Sequence, residues 1–471
     1  MAPQAREFEL VDQSLLRRML IFALPIMAMN VLQLLFNAAD MVVVGRFSGS
    51  HALAAVGATG SLINLIVTLF MGLSVGTSVV VAQDYGAGNP DAISRSVHTS
   101  MAISVFNGLV VMVAGLLVCE RLLGVMGTPE DIIELSALYI RIYFLGLPAS
   151  MIYNFGAAIL RAIGDSRRPM YYLTISGIVN VIFNLIFVIV FDMSVAGVAW
   201  ATVISQYLAM VMILACLVRS EGAIRLRWHL LRVDREKLKD ITKVGLPAGL
   251  QSLLFSISNV LIQSAVNSFG SAVVAARSTA GNVEGFVSTA MNAYYNAAIT
   301  FTGQSVGAKK YDQIDSIAKV CTVLIFTTWI VLGGVTLFFG RALLGFYTTN
   351  AEVIDIGMVH MKITMATYFT CGIMSVFPGL TRAMGYSILP MLSTLIGACL
   401  MRIVWLVTVF AWYPTFAVLF WCYPVTWAIA GAGQIASFFY ARRQVLKRAE
   451  LEDEDGDDTK APGLPQTAAA R

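Results

Sequence analysis

Apolar stretches of about twenty residues or more recur along the whole chain, separated by short polar joins. Stretches of that length cross the hydrocarbon of a bilayer as α-helices, whose backbone groups pair within the segment. The ten-residue alternating pattern of a membrane barrel is absent. The pattern predicts an all-α polytopic membrane protein with twelve spans, near 17–44, 52–83, 95–118, 131–158, 169–190, 195–219, 238–268, 272–303, 316–338, 351–380, 389–409 and 415–441. Several exceed the twenty residues needed, so tilt, kinks or extension beyond the lipid are expected.

The chain repeats itself. Ala23-Leu-Pro25 matches Gly245-Leu-Pro247, Gln83-Asp-Tyr-Gly-Ala87 matches Gln304-Ser-Val-Gly-Ala308, and Arg161-Ala-Ile-Gly-Asp165 matches Arg382-Ala-Met-Gly-Tyr386. The offsets are 222, 221 and 221 (247 − 25, 304 − 83, 382 − 161). Six spans per half is an even number, so the halves insert with the same orientation, as parallel repeats around a central cavity. The expected organisation is a short N-terminus (1–16), an N lobe (17–219), a linker (220–237), a C lobe (238–441) and a tail (442–471).

Composition agrees: 58% of residues are hydrophobic, 13% are charged, and mean hydropathy is +0.75. The net charge of +4 matters less than its placement. Arg17, Arg18, Arg95, Arg161, Arg167, Arg168, Lys309, Lys310, Arg382 and the tail cations fall on one side, with the basic linker. The other side has only Arg46, Arg121 and Arg341 in its short loops. This predicts a multi-pass protein of the inner or plasma membrane with both termini cytoplasmic. The polar N-terminus lacks a cleavable signal pattern. The linker, with mixed charge and Trp228, reads as a surface-lying helix. The acidic end, LEDEDGDDTKAPGLPQTAAAR, reads as disordered. The six scattered cysteines suggest neither disulfides nor a metal site.

Within the first span stands Asp40, an intramembrane acid. The residues one turn away are Phe36, Asn37, Val43 and Val44, so no cation on that helix neutralises it. Such a group is costly and points to function. From the expected span ends, Asp40 lies about 7 Å deep, Asn184 about 9 Å and Thr202 about 10 Å, with Asn180 one turn below Asn184. Carboxylate, amide and hydroxyl oxygens at one level suit a hard cation, and a desolvated carboxylate also suits a proton.

The segments FNAADMVVVGR, AQDYGAGNPD, LRAIGDSRRPM and GQSVGAKKYD together resemble the multidrug and toxic compound extrusion (MATE) transporters over about 15–445. The resemblance implies a twelve-helix, two-lobed secondary exporter of small organic, mostly cationic compounds. It would be driven by H⁺ or Na⁺, with no cofactor, no nucleic-acid partner and a monomer in lipid. It assigns Asp40, Asn180, Asn184 and Thr202 to a cation-coupling site. Some members carry an acid where this chain has Asn184.

The second half is no copy of the first. Asp40 maps to Leu261, and the acid that cholera-type and plant-type relatives carry in span seven is replaced by Phe255. This half offers Glu284 and Arg402 as a charge site, read either as a cation or headgroup acceptor or as a structural pair. Pro25 and Pro247 are candidate hinges. Candidate drug-contacting residues are Gln33, Phe36, Asn37, Tyr153, Asn154, Gln263, Asn267, Met291, Tyr294 and Tyr295, among walls rich in Met and Phe. The glycines Gly72, Gly76, Gly86 and Gly88 read as small-residue packing. A rival is a lipid-linked oligosaccharide flippase of the same superfamily, although twelve spans and few mid-membrane cations weigh against it. A membrane enzyme finds no support: no nucleophile–base pair, metal-spaced cluster or phosphate loop is present, and all four histidines read as near span ends or in loops. A channel is disfavoured by the two-lobed repeat.

Overall fold

The computed structural model describes residues 12–125 and 130–458. The helices are α1 (Gln13–Phe47), α2 (Gly49–Gly86), α3 (Pro90–Val125), α4 (Glu130–Ala162), α5 (Arg167–Leu185, with a π turn over Ile186–Val190), α6 (Ser194–Arg219), α7 (Arg235–Asn267), α8 (Ser271–Gly307) and α9 (Asp312–Thr328, prolonged to Phe338). Next come α10 (Ala351–Ala366 and Tyr368–Ala383, bent by 53°), α11 (Ile388–Thr394, continued through a π turn to Val407) and α12 (Phe416–Asp458). Among the described residues, ten helices are long and apolar enough to cross a membrane, or eleven if bent α10 counts as one span. The remaining long helix, α8, carries Arg277, Asn282, Glu284, Asn292 and Asn296, which dilute its hydropathy.

Helices α1–α6 form the first lobe and α7–α12 the second. The second lobe's core also takes in Leu15, Met19, Phe22 and Ile26 from the opening turns of α1, whereas Val43 and Val44 of the same helix pack into the first lobe. Pro25 lies near the point where α1 changes partners. The linker is not helical throughout, as the sequence suggested. It has only two single turns, Gly222–Ile224 and Trp228–Leu230. It is fastened to α3 instead: His98 Nε2 accepts from the Arg227 amide at 3.0 Å, and Thr99 Oγ1 from the Asp234 amide at 3.1 Å. Helix α12 runs past the expected end at 441 to Asp458. Residues 459–471, in the acidic tail, lie outside the described residues, as do 1–11.

The lobes clasp each other at the end that carries Asp12, the linker and the end of α12, hereafter the inner end. There Gln83 Nε2 donates to the Ala383 carbonyl at 2.8 Å, and Gln304 Nε2 donates to the Ala162 carbonyl at 2.7 Å. These are one contact made twice, because 304 − 83 and 383 − 162 are both 221. A Cβ on Gly86 would strike the Gln304 backbone, and one on Gly307 the Gln83 backbone, so both positions need glycine. Gly72 and Gly76 likewise abut the α7 backbone, as small-residue packing requires. Between the lobes Lys237 Nζ reaches Asp84 at 2.7 Å.

Asn30, bonded to Asn292 at 3.1 Å, makes the outermost hydrogen bond between lobes among the described residues. Beyond it Gln33, Asn37, Asn64, Gln263, Asn267 and Asn282 are exposed. Polar side chains at that depth need water, as an outer cleft between the lobes would supply.

Candidate functional site

Asp40 sits one helical turn beyond Phe36 on α1, facing α5. Asn184 donates one amide hydrogen to Asp40 Oδ1 and the other to Asn180 Oδ1 at 3.2 Å. Asn180 in turn donates to Thr202 Oγ1 at 3.4 Å, and Thr202 donates to the Val198 carbonyl at 2.9 Å. The structure thus joins all four residues of the expected coupling layer in one chain of hydrogen bonds. Helix periodicity places Asn180 and Asn184 on one face of α5. The π turn begins two residues after Asn184, the kind of irregularity that often accompanies functional positions. Asn184 is fully buried, and its carbonyl oxygen has no hydrogen-bond partner.

Asp40 stands in the wall of a cavity of about 240 Å³ inside the first lobe, lined by α1, α4, α5 and α6. Of the expected drug-contacting residues, Gln33, Phe36, Asn37, Tyr153 and Asn154 line it. The Phe36 ring lies against Gly177, where any side chain would collide with it. Gln263 and Asn267 are exposed on α7 and bonded to each other at 2.9 Å. Met291 and Tyr294 are buried in the second lobe's core, with the Tyr294 hydroxyl on Thr328 at 2.8 Å. Tyr295 is engaged with Arg382 at 2.5 Å.

Sequence reasoning missed Tyr139, Tyr143, Gln206 and Arg161, which also line the cavity. Tyr139 and Tyr143 are stacked, with centroids 6.0 Å apart. Their spacing of four, followed by Tyr153, was a readable signal of one aromatic face on α4. Arg161 was counted only as a marker of sidedness.

In the second lobe a direct Glu284–Arg402 pair does not form. Glu284 Oε1 instead lies 2.9 Å from His360 Nε2 and accepts from Thr364 Oγ1 at 2.5 Å. His360 stands on the first segment of the bent α10. It is fully buried, contrary to the reading of all histidines as near span ends or in loops. Arg402, also fully buried, donates to Asn259 Oδ1 at 2.7 Å and Ser258 Oγ at 3.2 Å. Its guanidinium lies 4.8 Å from the Phe255 ring centroid and 5.3 Å from that of Tyr423. Arg402 therefore takes amide, hydroxyl and aromatic partners in place of the carboxylate, while its Nε and Nη2 are buried without a hydrogen-bond partner.

Two six-helix repeats, clasped at one end, with an acid-lined cavity in one of them, define a membrane protein of the two-lobed transporter type. The chain belongs to the MatE family, whose sequence model matches residues 25–186 and again 247–408. The two matches begin 222 residues apart (247 − 25), the register of the internal repeat. Among its relatives, the probable multidrug resistance protein YoeA of Bacillus subtilis is 29% identical over 80% of this chain and 83% of its own. The multidrug export protein MepA of Staphylococcus aureus is 22% identical over 78% of this chain and 82% of its own. The solved Vibrio cholerae MATE transporter VcmN, in its bent form, shares the fold with a TM-score of 0.83 at 22% identity, over 92% of this chain and 98% of that one.

Proposed function

We propose that this protein is a secondary active exporter of small organic, mainly cationic molecules, driven by protons that return through Asp40. The observation that carries the reading is the hydrogen-bonded chain from Asp40 through Asn184 and Asn180 to Thr202, at the wall of the first-lobe cavity. A proton or a cationic substrate neutralises the same lone carboxylate, so the two exclude each other, which is the requirement for antiport. Asn184 turns its amino group, not its carbonyl, toward Asp40. A metal cation there would find a single carboxylate among neutral oxygens, a weak Na⁺ site but an adequate proton site, so the site suits H⁺ better than Na⁺. The names of the bacterial relatives agree with drug export.

On this reading the inner end is cytoplasmic, as the Arg and Lys asymmetry indicates. The clasp of Gln83 and Gln304 is the gate closed in this state. Alternation would open that gate and close the outer cleft, with α1 flexing near Pro25 and α7 near Pro247.

The test is efflux of a fluorescent organic cation in everted vesicles, with pH and Na⁺ gradients imposed separately. Efflux should follow the pH gradient without Na⁺, vanish in Asp40→Asn at normal expression, and fall less in Asn180→Ala. Drive by a Na⁺ gradient alone at matched pH, lost in Asn180→Ala or Thr202→Ala, would replace the proton by sodium.

A further inference from the structure

A second cavity, of about 510 Å³, lies at the inner end where α1, the turn between α4 and α5, and the inner part of α8 meet. It shares no lining residue with the Asp40 cavity. Arg18 and Ile21 line it from α1, Asp165, Ser166 and Arg167 from the turn and the start of α5, and Gln304 from α8. Arg18 stands among the turns of α1 that pack into the second lobe's core, between Leu15 and Phe22. Arg167 opens a helix of the first lobe. The cavity thus takes one cation from each side of the seam, next to the bond from Gln304 to the Ala162 carbonyl.

Among the described residues neither arginine is paired with an acid. Arg18 Nε donates to the Ser14 carbonyl of its own helix at 3.4 Å. The one carboxylate in the wall, Asp165, is already engaged. Its Oδ1 accepts from the Arg167 and Arg168 amides at 3.1 and 3.2 Å, and its Oδ2 lies 3.0 Å from Arg168 Nε. Those bonds also occupy amides of the first turn of α5, so the two side chains, and not the helix end, supply the positive charge.

The repeat shows the same seam closed. Gly164 and Gly385, 221 apart, both have positive φ, 97° and 89°, so the two turns share one form. At the second seam Ser387 Oγ donates to the Val244 carbonyl at 2.7 Å. The matching residues, Ser166 (387 − 221) and Phe22 (244 − 222), make no such bond and line the cavity instead. Arg18 and Arg167 give way to Asp240 (18 + 222) and Ile388 (167 + 221) at the second seam. The two cations stand where the seam is open.

The surroundings say what kind of anion fits. Ile21, in the cavity wall, is 44% exposed. Farther outward Leu24 on α1 and Tyr171 and Ile175 on α5 are exposed apolar side chains, the kind of surface a spanning helix gives to acyl chains. A guanidinium fork matches phosphate oxygens, and basic pockets between spans on the Arg- and Lys-rich side suit anionic headgroups. We propose that this cavity holds the phosphate headgroup of an anionic phospholipid, with Arg18 and Arg167 on the phosphate and the acyl chains along Ile21, Leu24 and Tyr171. Bound there, the lipid ties the lobes together beside the clasp and favours the state with the inner end closed.

Native mass spectrometry of the purified protein, given equimolar phosphatidylglycerol and phosphatidylcholine, counts the lipid retained. Wild type should keep one phosphatidylglycerol with about tenfold or greater preference, the scale of one charge-assisted contact. Arg18→Gln and Arg167→Gln should each cut that occupancy about tenfold. Arg443→Gln, at an exposed position on α12, should leave it unchanged. Phosphatidylglycerol should also raise the melting temperature of wild type, and not that of the Arg18→Gln, Arg167→Gln double variant. Equal retention of the two lipids by wild type, or losses in the cavity variants no larger than in Arg443→Gln, overturns the assignment. So does an equal rise in melting temperature in the double variant, which would place the lipid elsewhere. Displacement of the lipid by millimolar inorganic phosphate would overturn the lipid in favour of a free phosphate.

Discussion

The two lobes descend from one repeat, and they have kept different things. At the inner end the copies remain alike in sequence and in geometry. Gln83 and Gln304 make the same bond to opposite lobes, and Gly86 and Gly307 make the same close approach. Asp12 and Asp234, 222 apart, cap α1 and α7 in the same way, each accepting from two backbone amides. Toward the outer half the copies part. Asp40, Asn180, Asn184 and Thr202 become Leu261, Met401, Trp405 and Tyr423. Conversely Glu284 and His360 stand where the first lobe has Ile63 and Tyr139. In the proposed cycle the clasp is a gate that works on both lobes at once, which holds its halves equal. A site inside one lobe is free to specialise.

The largest expected difference lies between the two acids. Asp40→Asn should abolish pH-driven efflux, whereas Glu284→Gln should leave it within about twofold. Glu284→Gln should instead lower the melting temperature in detergent, because His360 and Thr364 lose a charged partner worth about 1.5–3 kcal/mol. If Glu284→Gln abolishes efflux with stability intact, the second lobe carries the coupling and the division of labour is wrong.

The clasp gives a smaller and more symmetrical effect. Gln83→Ala and Gln304→Ala should each favour opening of the inner end by about 1 kcal/mol, roughly a fivefold shift in population. Pulsed spin–spin distances between labels at positions 167 and 310 would report it. Equal shifts that add in the double variant support paired half-gates. A strong effect from one glutamine and none from the other would show that the gate has diverged like the sites.

The smallest effect belongs to Thr202→Ala. Thr202 only accepts at 3.4 Å from Asn180 and already donates to its own helix. Its removal should slow efflux less than about threefold with the pH dependence unchanged. A shift in the pH profile would mean that Thr202 acts on Asp40 more closely than the chain of bonds implies.

Much of this was legible in the sequence, for identifiable reasons. Span length and the 221–222 register gave twelve helices and two lobes, because both follow from the bilayer and from duplication rather than from packing. The Asp40 layer was found because depth along a helix is simple arithmetic. The second-lobe network was not found. His360 is buried against the Phe420 and Tyr423 rings, and no residue pattern announced that packing. Pairing Glu284 with Arg402 followed from opposite charge alone, whereas Arg402 takes Asn259, Ser258 and two aromatic rings as its partners. The place of Arg161 in the cavity wall was not foreseen, because a cation near a span end looks the same whether it faces water or a cavity. Met291 and Tyr294 fall in the core instead, because core and cavity side chains share one helical spacing.

The central claim is that the exchangeable proton sits on the Asp40 carboxylate, and it has a direct measurement. Purified protein in weakly buffered detergent, mixed with a saturating organic cation, should release protons that a pH dye counts. Wild type and Glu284→Gln should release about one proton per protein, and Asp40→Asn none. Undiminished release from Asp40→Asn, or its loss in Glu284→Gln alone, would contradict the account.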